Sequence, residues 1–207
     1  YAPLVRAATV IPPPDFRQAE AGESPADVAR RAAAALESHL ERHGETIAAL
    51  IVEPLVQGAA GMAMYDPEYL RLARQLCDRF EVHLICDEIA VGCGRTGTFF
   101  AHEQAANDGN PIRPDLMCLS KGISGGYLPL SIVLSSDTIY NAFLDDSVTR
   151  AFLHSHSYTG NPLACRAALA TLDIFQSDDV LTVNRKKAQK MESILAPLAK
   201  HPQVKHL

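Results

Sequence analysis

The chain has 207 residues, of which 47% are hydrophobic and 21% are charged. This composition is ordinary for a globular domain, and no run approaches the ~20 consecutive apolar residues that a membrane-spanning helix needs. The net charge of −5 lacks the basic footprint of a nucleic-acid-binding protein, so we expect neither a membrane nor a nucleic acid as partner.

The five cysteines form no Cys-x-x-Cys pair. An odd count without pairing is typical of buried free thiols in a reducing compartment, which predicts a cytoplasmic protein. His154 and His156 form a metal-like pair, but no third ligand follows at a suitable spacing, so we expect no metal site. The chain starts without Met or a signal-peptide pattern and stops as an apolar pattern resumes. We therefore expect a segment of a longer protein.

In chain order, residues 1–25 are rich in proline and predict an irregular start. Ser24 as cap and Pro25 at the first helical position then predict a helix that runs to about His43. The apolar run at 47–55 predicts a strand. Asp66-Pro67 predicts the start of a second helix, which ends near Phe80 and carries an apolar stripe.

The second half of the chain repeats this alternation of apolar runs and helical spacing. Strands are predicted at 82–88, 114–122 and 128–136, and helices at about 136–143, 161–175 and 180–199. Strands that alternate with helices predict an α/β fold with a mainly parallel sheet and helices on both faces.

Residues 92–97 spell Gly-x-Gly-x-x-Gly, which raises the question of a dinucleotide site. That fingerprint needs glycines that open directly into a helix, whereas Thr98, Phe99 and Phe100 follow here. A nucleotide-binding dehydrogenase therefore stays a minor alternative. It predicts NAD binding and no effect of changing Lys121.

Asp87 and Lys121 each follow an apolar strand, so parallel pairing would bring a carboxylate and an amine to the same edge of the sheet. A lysine desolvated there would be a nucleophile toward carbonyls. The nearby glycines, Gly122 among them, would let a planar ligand approach the backbone. Pyridoxal phosphate needs this pair, because lysine binds its aldehyde and aspartate holds its protonated ring nitrogen.

Four stretches together resemble the class III aminotransferases, which are fold-type I enzymes that use pyridoxal phosphate. They are LIVEPLVQGAAGM, LICDEIAVGCGRTGTFFAHE, PDLMCLSKGISGGYLPL and HSHSYTGNPLACRAAL, and their order agrees with the family from about residue 47 to 175. The resemblance implies the large-domain fold of these transferases. Residues 1–175 would be the C-terminal half of that domain, and 176–207 a helix leading into the small C-terminal domain.

Within the family, Ala90 after Asp-Glu-Ile favours the branch that makes 7,8-diaminononanoate for biotin synthesis, because ornithine-type relatives usually carry Gln there. Val91 and Cys93 depart from that branch, and an insertion around NDGNPIR lengthens the path to Lys121. The branch uses S-adenosylmethionine as amino donor and 8-amino-7-oxononanoate as acceptor. The alternatives are an ω-amino-acid, diamine or acetylornithine aminotransferase of the same family, or a catalytically silent scaffold.

The resemblance implies a role for each matched residue. Lys121 would bind the cofactor and later move the proton, Asp87 would hold the pyridinium nitrogen, and Ile89 would pack against the ring. Ser157 falls at the position of the family's phosphate-binding hydroxyl, with Thr159 as a rival.

On the substrate side, the resemblance places Glu53 and Gly122 near the reacting groups. In this family the phosphate-binding hydroxyl reaches the cofactor of the other subunit, which implies a homodimer with shared active sites. The family's phosphate cup and its small-domain arginine match nothing in this chain, so we expect the segment alone to be inactive.

Overall fold

A computed structural model describes residues 8–106 and 109–204. The strands in these two ranges are β1 (Ala49–Val52), β2 (Val56–Gln57), β3 (Ala63–Met64), β4 (His83–Asp87), β5 (Leu116–Leu119) and β6 (Ile132–Ser135). The α-helices are α1 (Pro25–His43), α2 (Glu68–Arg79), α3 (Asp137–Phe143), α4 (Pro162–Ser177) and α5 (Val180–Leu195). Each helix and strand predicted from the sequence has a counterpart here.

The main sheet has the order β1-β4-β5-β6, and β2 pairs with β3 in a separate antiparallel ribbon. β1 and β4 are parallel, as are β4 and β5, so the prediction of a mainly parallel sheet is confirmed. β6 runs antiparallel to β5 at the edge. The link between these two strands contains no α-helix, and a parallel partner would need a long crossover, usually helical.

α1 begins where its local sequence predicts. Ser24 and Asp27 form a capping box, in which the Asp27 amide donates to Ser24 Oγ at 3.2 Å and the Ser24 amide donates to Asp27 Oδ2 at 2.9 Å. These bonds supply acceptors to amides that precede the first i→i−4 bond of the helix, and such caps contribute about 1 kcal/mol.

The core lies between α1, α2 and one face of the sheet, with Leu84 and Cys86 of β4 fully buried against it. The opposite face of the sheet is open in the part of the chain that the structure describes, since Ile51 there is 62% exposed. Ile85 pairs with Ile51, and Asp87 lies two residues further along the same face. The polar end of β4 therefore points away from the core.

Asp115 ties the opposite, amino-terminal edge of the sheet together. Its Oδ2 accepts from the Leu84 amide and from Arg74 Nη1, both at 2.7 Å, and its own amide donates to the Leu84 carbonyl at 2.9 Å. Partial burial raises the pKa of the Asp115 carboxyl, but the hydrogen bonds from Arg74 and from the Leu84 amide outweigh burial, so its pKa lies below the ordinary value.

The predicted burial of the cysteines needs adjustment, and two other predictions stay untested. All five cysteines are free, but only Cys77 and Cys86 are buried. Cys93 and Cys118 are partly exposed, and Cys165 on α4 is exposed. The proposed boundary at 175/176 falls inside the last turn of α4 and stays a prediction. No helix within the described ranges is both long and apolar enough to cross a bilayer. The predicted insertion at 107–113 lies partly outside those ranges.

Candidate active site

β4 and β5 end side by side and place Asp87 and Lys121 at the same edge of the sheet. Asp87 is the last residue of β4 and pairs with Cys118 of β5. Lys121 lies three residues beyond Cys118, where it starts a 3-10 turn that runs to Ser124. The structure thus brings the predicted carboxylate and the predicted amine to neighbouring strand ends.

The Asp87 side chain is half-buried, and one of its oxygens is already engaged. Its Oδ1 accepts from the Ile89 amide at 3.0 Å, which turns the chain out of the strand. No donor to Oδ2 is recorded within 8–106 or 109–204, so this oxygen is free to meet a ligand. Burial raises the pKa of the neighbouring Cys118 thiol, and the negative charge on Asp87 raises it further.

Lys121 adopts an unusual backbone conformation, with φ of 46° in the left-handed region. A residue with a side chain is strained there by about 1–3 kcal/mol, and such residues cluster at functional sites. The side chain is exposed and makes no recorded hydrogen bond or ion pair with any described residue. The expectation that Lys121 is desolvated is therefore wrong for this segment, because the buried side chains of its turn, Ile123 and Ser124, face inward and leave the lysine uncovered.

Two serines hold the turn that carries Lys121. Ser120 Oγ donates to the Leu130 carbonyl, and the buried Ser124 Oγ donates to the Leu128 carbonyl, both at 2.7 Å. These bonds fix both ends of the turn, so the position of Lys121 does not depend on its own side chain.

The glycines at 92–97 lie in turns, and no helix opens from them. The dinucleotide interpretation is therefore wrong, because there is no helix N-terminus to hold a pyrophosphate. The segment instead packs against the Lys121 turn: an ideal Cβ on Gly122 would lie 2.8 Å from the Cβ of Cys93. Only a glycine fits at 122 with Cys93 in this place.

Glu88, the neighbour of Asp87, has a role that the sequence analysis missed. Its carboxylate is 1% exposed and accepts three hydrogen bonds, from the amides of Ala101 and His102 at 2.9 Å each and from His102 Nδ1 at 2.8 Å. The sequence does show Glu88 as a second acid at the end of an apolar strand. No local pattern identifies His102 as its partner.

Glu53 follows β1 and reaches the same edge of the sheet. Its Oε2 accepts from the Gly58 amide at 3.0 Å, and an ideal Cβ on Gly58 would lie 4.0 Å from the Cβ of Ala90. The loop after β1 therefore lies beside the loop after β4, and Glu53 is placed next to the Asp87 end of the site.

Ser157 and Thr159 lie in an exposed turn just before α4. Thr159 Oγ1 accepts from the His156 amide at 3.0 Å, whereas no partner is recorded for the Ser157 hydroxyl among the described residues. No hydrogen bond in the described ranges joins this turn to Asp87 or Lys121. The structure therefore does not unite the predicted phosphate-binding hydroxyl with the other predicted groups.

Almost the whole chain matches known aminotransferases. The aminotransferase class-III family matches residues 2–207. The adenosylmethionine-8-amino-7-oxononanoate aminotransferase of Nitratidesulfovibrio vulgaris is 42% identical over 205 residues, which are 99% of this chain and 37% of that protein. The chain thus spans little more than a third of that relative.

Two solved structures share the fold. The adenosylmethionine-8-amino-7-oxononanoate aminotransferase of Methanocaldococcus jannaschii superposes with a TM-score of 0.77 at 36% identity, over 84% of this chain and 40% of that one. A thermostable (S)-enantioselective ω-transaminase of Thermomicrobium roseum gives a TM-score of 0.85 at 32% identity, over 95% and 42%. The predicted α/β transferase fold with a mainly parallel sheet is confirmed, whereas helices that cover the second face of the sheet are not seen among residues 8–106 and 109–204.

Proposed function

Because the chain belongs to the class-III aminotransferase family, we propose that the whole protein is an aminotransferase that uses pyridoxal phosphate. We propose S-adenosylmethionine as the amino donor and 8-amino-7-oxononanoate as the acceptor, with 7,8-diaminononanoate as the product, in cytoplasmic biotin synthesis. Since this chain covers only part of its relatives, the activity belongs to the complete protein.

One observation carries the proposal: the Lys121 amine and the Asp87 carboxylate lie at neighbouring ends of parallel strands, and neither the amine nor Asp87 Oδ2 has a partner among the described residues. When bound, pyridoxal phosphate supplies an aldehyde for covalent attachment and a pyridinium ring that withdraws electrons. Lys121 and Asp87 fit these two ends of the ring. The exposed glycine turn beside Lys121 leaves room for a flat ligand.

Asp87 and Lys121 would do different work. The Asp87 carboxylate would accept the ring N–H and favour the protonated nitrogen, because a charge-assisted hydrogen bond is worth about 1.5–3 kcal/mol. Lys121 Nζ would be the amine that holds the cofactor. When not so engaged, Lys121 Nζ would accept the proton of the donor's α-carbon and give it back.

The remaining predicted residues fit supporting roles. We assign the phosphate to Ser157 rather than Thr159, because the Thr159 oxygen already accepts a hydrogen bond within its own turn. This hydroxyl would serve the partner subunit's cofactor in a homodimer, which agrees with the finding that no hydrogen bond within 8–106 and 109–204 joins its turn to Asp87. Ile89 would pack on the ring, and Glu53 and Gly122 would line the substrate side.

The ω-transaminase reaction is the second candidate, and the structural likeness to the Thermomicrobium roseum enzyme favours it. The relatives named for the 8-amino-7-oxononanoate reaction favour the first candidate, and they include both a sequence match and a solved structure. Ala90 at the edge of the site agrees with the first. We therefore place the biotin-pathway substrates first.

Covalent attachment tests the site assignment. The full-length protein is loaded with pyridoxal phosphate and reduced with borohydride, and its peptides are mapped by mass spectrometry. We expect the cofactor's mass on the peptide that contains Lys121, and no adduct in Lys121→Ala. Lys187→Ala, at an exposed position on α5, is the matched control and keeps the adduct. An adduct on another lysine, or none at all in the wild type, contradicts the assignment.

A further inference from the structure

Glu88 is a buried acidic residue whose carboxylate accepts its recorded hydrogen bonds from one short turn. Its carboxylate is 1% exposed, and three N–H donors from Ala101 and His102 surround it. A buried carboxylate is costly unless hydrogen bonds replace its lost water. This arrangement therefore fixes residues 101–102 firmly against the end of β4.

The backbone of Glu88 joins two further segments. Its amide donates to the Cys118 carbonyl of β5, and its carbonyl accepts from the Gly92 amide, both at 2.9 Å. An ideal Cβ on Gly92 would lie 2.8 Å from the Glu88 carbonyl oxygen, so this turn closes tightly over Glu88. Three segments thus meet at one residue: the end of β5, the turn at 89–92 and the turn at 101–102.

Both candidate active-site groups depend on these segments. Asp87 precedes Glu88, and its carboxylate is oriented by the amide of Ile89 in the first turn. Lys121 is three residues beyond Cys118. It also precedes Gly122, which packs on Cys93, the residue after Gly92. A shift of Glu88 would therefore move the Asp87 side and the Lys121 side of the site relative to each other.

We propose that Glu88, held by His102, is a positioning residue that sets the separation between Asp87 and Lys121. This inference rests on the proposed function, because the separation matters only if the two groups grip opposite ends of one rigid ring. Glu88 does not touch the cofactor. It acts through the backbone and through the loop that closes over it.

Asp115 provides a matched control within the same sheet. Like Glu88, Asp115 carries a carboxylate next to a strand and accepts hydrogen bonds from the backbone and from a side chain, here Arg74. It lies at the amino-terminal edge of the sheet, away from Asp87 and Lys121. A purely structural role for Glu88 predicts that Glu88→Gln and Asp115→Asn have the same kind of effect. A positioning role predicts that they differ.

The test uses the full-length protein and three measurements. They are the dissociation constant for pyridoxal phosphate, the pH midpoint of the visible band of the lysine-bound cofactor, and the urea midpoint of the apoprotein. Glu88→Gln replaces one accepting oxygen with an NH₂ group, which cannot accept a hydrogen bond from the N–H donor that faces it. We expect its dissociation constant to rise by about tenfold or more, with a shifted pH midpoint. Asp115→Asn lowers only the urea midpoint.

His102 keeps the inference testable if Glu88→Gln does not fold. His102→Leu removes the Nδ1 contact and leaves both backbone donors, so we expect the same change in cofactor affinity in weaker form. His102→Asn restores an N–H near the Nδ1 position and should recover the affinity for pyridoxal phosphate.

Unchanged affinity and pH midpoint in the Glu88 and His102 variants, with only a lower urea midpoint, would overturn the positioning role while the proposed function stands. A wild-type protein that forms no visible band would overturn both.

Discussion

Replacing Gly122 with alanine tests the contact between the Lys121 turn and the glycine loop. The new Cβ would lie 2.8 Å from the Cβ of Cys93, whereas carbon atoms pack best at about 3.5–4.0 Å. The overlap is therefore about 1 Å between two atoms attached directly to backbone, and neither can rotate away. Such overpacking costs about 1–3 kcal/mol. We expect Gly122→Ala to lower the free energy of unfolding of the full-length protein by this amount in urea denaturation.

Two variants control this prediction. Gly58→Ala is the matched control, because its new Cβ would meet Glu53 Oε2 at 3.4 Å and Ala90 at 4.0 Å, which are ordinary contacts; we expect a change of at most about 0.5 kcal/mol. Cys93→Gly removes the opposing Cβ at a residue whose φ of 54° already favours glycine, so Cys93→Gly/Gly122→Ala should recover most of the loss. If Gly122→Ala is as mild as Gly58→Ala, or if the double variant recovers nothing, the packing described here is wrong.

Three further predictions concern the rest of the chain. Ser24→Ala removes the cap on α1 and should cost about 1 kcal/mol in urea denaturation, whereas an unchanged free energy would mean that the bond to the Asp27 amide contributes nothing. Asp115 has a folded-state pKa below its ordinary value of 3.8, so its stabilisation is complete above that value and is lost as pH falls through the lower, folded pKa. Asp115→Asn should therefore show a smaller fall in urea midpoint between pH 5 and pH 2, and a fall as steep as in the wild type would contradict this. Burial raises the pKa of the Cys77 thiol to about 11, so a maleimide at pH 7 should label exposed Cys165 first, and early labelling of Cys77 would contradict its burial.

The helices were predictable because their signals are local. Ser24, Pro25 and Asp27 specify the start of α1 within four residues, and the structure contains the capping box that they encode. The apolar runs likewise located the four strands of the main sheet, but not β2 and β3, which have two residues each and are too short to form a pattern. The direction of β6 was not predictable, because an apolar run looks the same in either direction and its orientation depends on the link from β5.

The part of the candidate site that could be predicted is the part that lies directly at strand ends. Asp87 and Lys121 follow apolar runs, and parallel pairing alone brings them to one edge. The Glu88–His102 contact spans 14 positions across an irregular loop, so no periodic pattern reveals it. The exposure of Lys121 was also missed, because burial at a strand end depends on what covers that edge rather than on the strand itself.

The most direct test of the central claim is the visible spectrum of the full-length protein with bound pyridoxal phosphate, recorded before and after addition of each amino donor. The account predicts that S-adenosylmethionine bleaches the band of the lysine-bound cofactor, while ornithine and β-alanine leave it in place. Lys121→Ala should show no such band. If ornithine or β-alanine bleaches the band and S-adenosylmethionine does not, the proposed substrates are wrong. If the wild type forms no band, the aminotransferase assignment itself is contradicted.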